Sequence, residues 1–398
     1  MPNTVAVATI RAIMIGISLP QALLLDLRKQ ERAMLHLLGA LVRAESPSLD
    51  KAAVDDCGEL AAAEWEKRGA RVEVLLQKHR GNHLRVTLWR GRGKPTGQLL
   101  VLGHLDTVYD VGALARMPFR VSRGRAWGPG TFDMKGGLTQ ALFAAAALER
   151  CQIPMRKRVV FLWTSDEEVG SETSRKLIER EARRSDAALV LEPAQGVNGD
   201  LKTSRKAVGE IKLEVIGRAA HAGLDPKNGV NAVHEIALQI ARLVKLNHNR
   251  LGTTVNADII HGGTRVNVIA DRAHAVIDVR AVRAKDMRAL ERRLRGLDRI
   301  LPGARLRVTG GFNRAPLERK VTAALFRHAQ NLASQMDLRL CESAAGGGSD
   351  GNLTGALGVP TLDGLGAVGS GAHSPSEHVV IRAMPERAAL LAALLATI

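Results

Sequence analysis

The chain has 398 residues, of which 45% are hydrophobic, 24% are charged and only 3% are aromatic. This length and composition predict a globular protein of two domains, and so few aromatic residues argue against a base-stacking platform for single-stranded nucleic acid. The formal net charge is +17. The basic residues are scattered along helices, which favours a solvated, arginine-rich surface over a site that attracts acidic ligands.

The N-terminal residues contain an apolar segment, 12–25, that follows an arginine and faintly resembles a signal peptide. It contains a proline, has no clear cleavage site and is too short to span a bilayer. We therefore expect a cytoplasmic protein and keep an exported, periplasmic protein as the alternative. Residues 1–24 are a possible signal-like or disordered segment.

The next elements alternate between helices and strands. Apolar residues recur at helical spacing in 26–42, and 46–69 contains a second helix. Three apolar runs typical of buried strands then alternate with two helical segments: strands within 97–108, 158–168 and 187–194, and helices within 133–151 and 171–184. This alternation predicts an α/β domain with a mainly parallel sheet sandwiched by helices. In such sheets, ligands bind beyond the carboxyl ends of the strands.

The pattern changes after residue 206. The run 210–217 alternates with period two, as a half-exposed strand does, and it opens the order strand, helix, strand, strand, helix, strand. That order is typical of a ferredoxin-like α+β unit. The last residues return to the first pattern, so the predicted organisation is a main domain of 1–206 and 318–398 with an inserted domain of 207–317.

The three cysteines, Cys57, Cys151 and Cys341, are far apart and form no CxxC motif. They indicate small buried side chains rather than a disulfide framework. The glycine run 346–348 lacks the lysine of a phosphate-binding loop, so we do not expect it to be such a loop.

Imidazole and carboxylate side chains follow the predicted strands where the strands end, and one more histidine lies near the C-terminus: His104, Asp106, Asp133, Glu167, Glu168, Glu192 and His373. Imidazoles and carboxylates without cysteine are the ligand set of a hydrolytic zinc or related divalent site. A single member is more often a solvated or capping residue, whereas five clusters at one edge of one sheet indicate a common site. Bound cations would also make so many neighbouring carboxylates tolerable.

The spacing of neighbouring residues within the clusters indicates which roles they can have. In an extended strand, residues i and i+2 lie on the same side, so Asp106 can accept a hydrogen bond from the ring nitrogen that His104 does not give to a metal. Glu167 and Glu168 point to opposite sides of an extended backbone. One can then bind a metal while the other faces the substrate water, and we expect different roles for them.

Seven segments together resemble the M20 metallopeptidases, and most of all their glutamate carboxypeptidase branch: "GHLDTVYDVG", "GPGTFDMKGG", "TSDEEVGS", "LEPA", "GRAAHAG", "RVNVIADRAHAVIDVR" and "GSGAHSPSE". The motifs stand in the order of the family, and the resemblance extends from about Leu25 to the C-terminus. It implies a zinc-exopeptidase-like catalytic domain and an inserted domain that is both dimer interface and substrate lid.

The resemblance implies two zinc ions per subunit, with Co²⁺ or Mn²⁺ as substitutes, bridged by Asp133 and a water molecule. His104 and Glu192 would complete the first site, and Glu168 and His373 the second. Three protein ligands and a replaceable water give each ion the open coordination of a catalytic site. The family also has a cis peptide after its bridging aspartate, here Asp133–Met134.

The resemblance also assigns catalytic and substrate-binding roles. Glu167 is the implied general base. We also count Asp106 among the catalytic residues, because of the hydrogen bond to His104 expected from their spacing. His221 and Asn267 match positions that reach into the partner subunit's site and stabilise the oxyanion, which implies a homodimer. Arg280 matches a residue that pairs with the terminal carboxylate of the substrate. The alternatives are a turn histidine for His221 and a surface arginine for Arg280.

Two further segments concern the substrate. "GGFNRAP" lacks the arginine that some relatives have just before "FN", and Arg314 either substitutes for it or is a surface residue. The glycine-rich "GGGSDGN" resembles the flexible substrate-side loop of the family. Gly347 and Gly348 would there let the backbone approach the ligand closely.

The predicted function is dinuclear zinc-dependent hydrolysis of an amide or peptide bond, releasing a free C-terminal amino acid for which glutamate is the first choice. One alternative is an N-acyl amino-acid deacylase of the acetylornithine or succinyl-diaminopimelate type. The other is a non-catalytic metal-binding member. The expected partners are an acyl-amino acid or short peptide and a second copy of the chain, with no nucleic acid and no membrane.

Overall fold

The computed structural model describes residues 16–91, 93–248, 250 and 252–398. The chain divides into two compact units: a first unit of Met1–Thr203, Arg319–Ala344 and Ser349–Ile398, and a second unit of Ser204–Glu318 and Ala345–Gly348. The boundaries proposed from the sequence, 206/207 and 317/318, lie close to these divisions.

Residues 345–348 group with the second unit, whereas the sequence analysis places them in the returning main domain. The reason is that polar groups of the second unit hold this segment. The N–H of Lys206 donates to Ala345 O at 3.1 Å, and the guanidinium of the buried Arg205 donates to the carbonyls of Gly347 and Gly348 at 3.3 and 3.1 Å.

Strands and helices follow one another along both units. The strands of the described residues are β1 (Arg71–Leu75), β2 (His83–Leu88), β3 (Gln98–His104), β4 (Arg120–Ser122), β5 (Arg125–Trp127), β6 (Arg158–Thr164), β7 (Ala187–Val190), β8 (Leu201–Arg205), β9 (Ala207–Ile216), β10 (Thr254–Gly262), β11 (Arg272–Ala281), β12 (Arg305–Arg314), β13 (Glu342–Ala345), β14 (Thr361–Leu362), β15 (Gly369–Ser370) and β16 (His378–Val380). The α-helices of the same residues are α1 (Leu19–Arg28), α2 (Glu31–Arg43), α3 (Lys51–Glu66), α4 (Ala113–Arg116), α5 (Gly136–Arg150), α6 (Arg175–Ala182), α7 (Ala232–Val244), α8 (Ala284–Arg295), α9 (Arg319–Ser334), α10 (Gly351–Ala356) and α11 (Ala383–Thr397).

A six-stranded sheet with the order β1-β2-β6-β3-β7-β14 forms the centre of the first unit. β6, β3, β7 and β14 are mutually parallel. β2 pairs antiparallel with β6, and β1 pairs antiparallel with β2. β3 is buried along its whole length, because helices cover both faces of the sheet, and this explains its continuous apolar run. The mainly parallel α/β fold predicted from the sequence is confirmed.

Side chains of β3 point alternately into two apolar cores. Leu99 and Val101 belong to the larger core, which the helices α1, α2, α3, α5, α9 and α11 complete. Leu100 and Leu102 belong to a smaller core with α6 and α10 on the opposite face. The sheet is therefore anchored on both sides, and the loops after its strands start from fixed positions.

The N-terminal helix α1 explains the apolar start of the described chain. Its residues Leu23, Leu24 and Leu27 are buried in the larger core. For 19–24 the expectation of a disordered segment is therefore wrong, and the signal-like interpretation of 1–15 lies outside the described residues. The helix predicted over 26–42 is in fact two helices, since α1 ends at Arg28 and α2 begins at Glu31. In the described part of the chain, no helix is long and apolar enough to cross a membrane.

The second unit is an antiparallel sheet with the order β10-β11-β9-β12, and α7 and α8 pack on one of its faces. β9 and β11 bury every second residue against these helices, which produces their period-two pattern. Its elements follow in the order β9, α7, β10, β11, α8, β12. The ferredoxin-like arrangement expected for the inserted domain is thus confirmed.

Candidate metal centre

Strand register brings the first group of predicted ligands to one level of the main sheet. In the parallel pairs, His104 is the register partner of Thr164, and Leu102 is the partner of Val190. Glu192 follows Val190 by two residues, as His104 follows Leu102. The "DEE" segment begins just after Thr164. The predicted edge of the sheet therefore carries these side chains together.

A smaller antiparallel sheet positions the other two predicted ligands. Its order is β15-β16-β5-β4, and β16 pairs with β5 through His378 and Trp127. Asp133 lies in the turn Thr131–Lys135 that follows β5, and His373 lies in the turn between β15 and β16. The peptide bond Asp133–Met134 is cis, as expected. His373 has a φ of 60°, an uncommon conformation for a non-glycine residue that is often found at functional sites.

The two carboxylate oxygens of Asp133 face two different sets of candidate metal ligands. His104 Nε2 is 3.3 Å from Asp133 Oδ1 and 3.7 Å from Glu192 Oε1. His373 Nε2 is 3.4 Å from Asp133 Oδ2 and 3.2 Å from Glu168 Oε1. Two ligands bound at about 2.0–2.1 Å to one tetrahedral zinc ion are about 3.3 Å apart. All four separations are close to that value.

Two further observations show that these donor atoms are suited to binding metal cations. Asp133 Oδ1 and Glu168 Oε1 are buried and accept no hydrogen bond, although an imidazole nitrogen lies close to each. Two overlapping sets of potential ligands, His104–Glu167–Glu192 and His104–Asp133–Glu168, keep their ligand atoms within 4.8 Å of one another. The first set includes Glu167. The other imidazole, that of His373, lies next to Glu168 instead, with Nε2 at 3.2 Å from Oε1. Nitrogen and oxygen donors without sulfur suit zinc and related divalent ions.

The carboxylates of the cluster shift the pKa values of its histidines toward the charged form. Burial lowers the pKa of His104, but the carboxylates of Asp133 and Asp106 outweigh burial and hold that pKa well above its usual range. Asp133 and Glu168 raise the pKa of His373 to about 10. Burial raises the pKa of Asp133, but the two imidazoles lower it more, so its carboxyl titrates below the usual range. Protonated imidazoles thus provide the positive charge beside these carboxylates that bound cations would otherwise provide.

Asp106 acts differently from the expectation. His104 Nδ1 lies 2.9 Å from the main-chain oxygen of Asp106 and 3.5 Å from its carboxylate, so the carbonyl is the ring's hydrogen-bond acceptor. The carboxylate instead accepts the N–H groups of Glu167 and Glu168, each at 3.2 Å, and the Ser48 hydroxyl at 2.8 Å. Burial raises the pKa of Asp106 to about 6.

The two adjacent glutamates do not lie on extended backbone. β6 ends at Thr164, and Glu167–Val169 forms a single helical turn. The expectation that they point to opposite sides is therefore wrong, because Asp106 caps this turn and both carboxylates face the cluster. They still face different parts of it. Glu168 lies beside His373, and Glu167 belongs to the set with Glu192.

Comparison with known proteins decides the family. The profile of peptidase family M20/M25/M40 matches residues 100–397. Carboxypeptidase G2 of Pseudomonas sp. strain RS-16 is 30% identical over 375 residues, covering 92% of this chain and 89% of that protein. The chain belongs to this family. As an M20 peptidase it is a hydrolase that acts on peptide C–N bonds.

Other relatives of the M20 peptidase differ in their described activities. The acetylornithine deacetylase of Salmonella arizonae is 30% identical over 266 residues, covering 62% of this chain and 67% of that protein. Aminopeptidase PepT of Bacillus cereus shares the fold with a TM-score of 0.75 at 21% identity, covering 92% of this chain and 98% of that chain. YXEP of Bacillus subtilis, described as a dinuclear metal-binding peptidase of the M20 family, has a TM-score of 0.67 at 14% identity, covering 93% of this chain and 98% of that chain. At these identities the two structures show a shared fold.

Sequence reasoning missed several residues that support the cluster: Ser48, Tyr109 and Glu377. Glu377 stands in "HSPSEH", four residues after His373, and is almost fully buried. It was overlooked because one glutamate in a polar, glycine-rich segment resembles a solvated residue. Tyr109, the only tyrosine of the chain, was a usable signal, since a lone aromatic residue stands there just after the "HLD" motif.

In the second unit of the M20 peptidase, His221 and Asn267 lie together. The N–H of Ala222 donates to Asn267 O at 3.0 Å, and both side chains are exposed. His221 Nδ1 accepts the N–H groups of Gly223 and Leu224 at 3.1 and 3.0 Å. The neutral ring then carries its proton on Nε2, because Nδ1 is an acceptor. His221 is therefore a turn histidine, as the alternative interpretation proposed. It also has an Nε2–H group that can donate a hydrogen bond.

The remaining substrate-side residues share one row of the second sheet. Val208 on β9 is the register partner of Arg280 on β11 and of Arg314 on β12. Gly348 lies over this row: a Cβ added to it would come within 2.8 Å of Val208 Cγ2 and 3.1 Å of Arg314 Cδ. Arg314 is buried, so the surface-residue reading of it is wrong. Arg280 is partly buried and pairs with Asp278 through Nε and Nη2 at 2.7–2.9 Å.

Proposed function

We propose that the protein is a dinuclear zinc hydrolase that cleaves an amide or peptide bond and releases a free C-terminal amino acid, glutamate first among the candidates. The observation that carries the proposal is the division of Asp133, whose two oxygens face two separate imidazole–carboxylate pairs. His104, Asp133 and Glu192 would hold one ion, and His373, Asp133 and Glu168 the other. Co²⁺ or Mn²⁺ would suit the same donors.

When bound, the two ions would acidify a water molecule between them and polarise the carbonyl of the scissile bond. We assign the general base to Glu167, and the support is that its carboxylate lies within 4.8 Å of the ligand atoms of His104 and Glu192. It takes a proton from the attacking water and delivers it to the leaving amine. Asp106 supports this step by holding the turn that carries Glu167.

A cavity of about 420 Å³ opens beside these ligands in the first unit and offers room for the substrate. Its walls include Asp133 and Glu192, the segment 193–197 and the glycine-containing turn 369–372. Several residues of this wall are small, among them Gly196, Gly369 and Gly371, so an extended acyl or peptidyl group can approach the proposed ligands closely.

Recognition of the amino-acid product rests on the second unit. Asp278 contacts Arg280 through Nε and Nη2 and so orients the guanidinium while leaving its Nη1 group for another partner. We assign to Arg280 the terminal carboxylate of the substrate, for which a guanidinium fork is suited. Arg314, two strands away in the same row, is the candidate for a second acidic group, which favours glutamate over a neutral residue.

A homodimer through the second unit completes the proposal. β10 lies at the edge of its sheet and exposes Ile259 and Ile260 by 48% and 52%. An edge strand with exposed apolar side chains is a template for pairing with another chain. The loops with His221 and Asn267 also expose Leu224 and Val266. We propose that these loops enter the partner's site, where His221 Nε2–H and the Asn267 amide would stabilise the oxyanion.

The second candidate function is an N-acyl amino-acid deacylase, favoured by the similarity to acetylornithine deacetylase. A substrate panel separates the two. It contains a folate-type benzoyl-glutamate, an N-acyl-glutamate, the same compound with an amidated α-carboxyl, N-acetylornithine and N-succinyl-diaminopimelate, each with and without chelator. We expect chelator-sensitive turnover of the glutamate compounds and little of the amidated one. Preferential turnover of acetylornithine or of the succinyl compound would establish the deacylase instead.

A further inference from the structure

Glu377 is a buried carboxylate that gathers four hydrogen-bond donors. Its Oε1 accepts the N–H groups of Phe132 and Asp133 at 2.8 and 2.9 Å. Its Oε2 accepts the N–H of Gly130 at 2.9 Å and the Tyr109 hydroxyl at 2.6 Å. The donors are neutral N–H and O–H groups. The carboxylate therefore organises main chain around the bridging aspartate.

The same residue joins three segments that carry proposed ligands. Tyr109 follows the "HLD" motif, which begins at the last residue of β3, and Gly130 directly precedes the turn Thr131–Lys135 that bears the proposed bridging carboxylate. Glu377 itself closes the turn of His373: its N–H donates to Ser374 O at 3.1 Å, and its carbonyl accepts the N–H of Gly128 at 3.2 Å. One side chain thus fixes the distance between the Asp133 turn and the His373 turn.

We propose that Glu377 is a positioning residue for the second metal site, the one formed by Asp133 Oδ2, Glu168 and His373, and that Tyr109 fixes its carboxylate. This inference rests on the two-ion site of the proposed function. Glu377 holds the main chain that carries two of the three ligands, so its effect reaches the metal through them. In the structure Glu377 touches neither His373 Nε2 nor the carboxylate of Asp133 through any described hydrogen bond.

The chemistry of Glu377 makes a specific test available. Both of its oxygens face donors, and only an ionised carboxylate offers two acceptor-only oxygens. Glu377→Gln keeps the size of the side chain but turns an NH₂ group toward N–H groups, so one side of the anchor is lost. A matched control is Glu235→Gln in α7. Glu235 is fully buried and likewise accepts main-chain N–H groups, those of Ile300 and Leu301, but it lies in the second unit.

The experiment is a titration of the metal-free full chain with Co²⁺, followed by visible absorption and by the unfolding temperature. Outer ligand supports of this kind change metal affinity by about 10–100-fold. We expect Glu377→Gln to lower the Co²⁺ affinity of the second metal site by that factor and to shift the absorption bands of the Co²⁺ bound there. The Co²⁺ affinity of the first metal site should change less. Glu235→Gln should lower the unfolding temperature while it leaves both Co²⁺ sites unchanged.

Tyr109→Phe provides the second variant if Glu377→Gln fails to fold, because it removes one hydroxyl and keeps the ring. It should lower the Co²⁺ affinity of the second metal site by a smaller factor. The unfolding temperature of the metal-free protein should stay close to native. Native binding of both Co²⁺ ions by Glu377→Gln, or by Tyr109→Phe where only that variant folds, would overturn the inference. A native protein that itself binds fewer than two Co²⁺ ions would overturn the two-ion proposal, and this inference with it.

Discussion

Asp106 holds the turn of Glu167 and Glu168 by accepting the N–H group of each residue with one carboxylate oxygen. Ser48 donates to the same carboxylate and so helps to hold it in place. The turn directs one glutamate to the set with Glu192 and the other to His373. Two identical neighbouring side chains can therefore have different roles, because the backbone between them is fixed by a third carboxylate.

This geometry predicts different outcomes for Glu167→Gln and Glu168→Gln. Glutamine in place of Glu167 keeps shape and hydrogen bonding but cannot take a proton, so we expect full metal content and activity lower by about 10²–10⁴-fold, the contribution of a general base. Glutamine in place of Glu168 is a poorer ligand than a carboxylate, and we expect one metal ion to be lost or bound more weakly. Metal stoichiometry and turnover of both variants provide the check.

Two results would contradict these assignments. If Glu167→Gln lost metal while Glu168→Gln kept both ions and still lost activity, the two roles would be exchanged. If both variants kept metal and activity, the two glutamates would not act in catalysis, and the mechanism would have to be abandoned.

Arg280 provides a second prediction at the scale of single residues. Arg280→Ala should raise KM and lower kcat/KM by roughly 10–100-fold for substrates with a free terminal carboxylate, since a charge-assisted contact is lost. Arg272→Ala is the control, because Arg272 lies on the same strand and is exposed. Kinetics with free and amidated substrates measure the effect. Equal cleavage of both substrate forms by the native enzyme would remove carboxylate recognition from the proposal.

At the scale of elements, much of the site follows from register that a sequence pattern can reveal. Apolar runs that end in His104, in "DEE" and in "LEP" predict buried parallel strands, and parallel strands deliver their ends to one edge. The structure places these ends level with one another. The candidate ligands at or after the ends of β3, β6 and β7 could therefore be anticipated from residues alone. Asp133 and His373 are also candidates by residue type, but only the family resemblance assigns Asp133 as the bridge and His373 to the second site.

The remaining features depend on contacts that no local pattern contains. The helical turn of Glu167 forms because Asp106, far away in the sequence, caps it. Segment 345–348 joins the second unit because Arg205 holds its carbonyls. Glu377 is buried because the turn of Asp133 presents its N–H groups to it. Long-range hydrogen bonds decide each case, and periodicity carries no information about them.

The edge strand β10 gives the prediction for an element. Ile260→Lys places a charge on this edge, where it would oppose strand pairing, and we expect the dimer to dissociate. Activity should fall with it, since His221 and Asn267 are proposed to act in the partner's site. Val121→Lys on β4 is the matched control, an apolar strand residue of similar exposure, 54%, in the first unit. Sedimentation and turnover at several protein concentrations measure both. A fully active monomer, native or variant, would contradict the dimer and the roles of both loop residues.

For the molecule as a whole, the distribution of charge matters more than its sum. The net charge is +17, yet the first unit concentrates carboxylates and imidazoles at one edge of a buried sheet. Such a cluster is costly without compensating positive charge. Protons supply this charge in the metal-free protein, and metal ions would supply it in the loaded enzyme. Metal binding, protonation and stability are consequently linked.

This linkage predicts the pH dependence of metal binding and its direction. His104 and His373 have raised pKa values, that of His373 about 10, so both imidazoles hold protons near neutral pH without metal. A metal ion needs the neutral rings and must displace these protons, so affinity should fall as pH falls. The expected slope is about tenfold per pH unit for each proton displaced. Calorimetric titration with Zn²⁺ in buffers of different ionisation enthalpy counts the protons released. His373→Gln should release fewer of them, and its unfolding temperature should rise less on adding metal. If Zn²⁺ affinity did not depend on pH between about 6.5 and 8.5, the histidines would not be ligands, since a metal-bound imidazole must lose its proton.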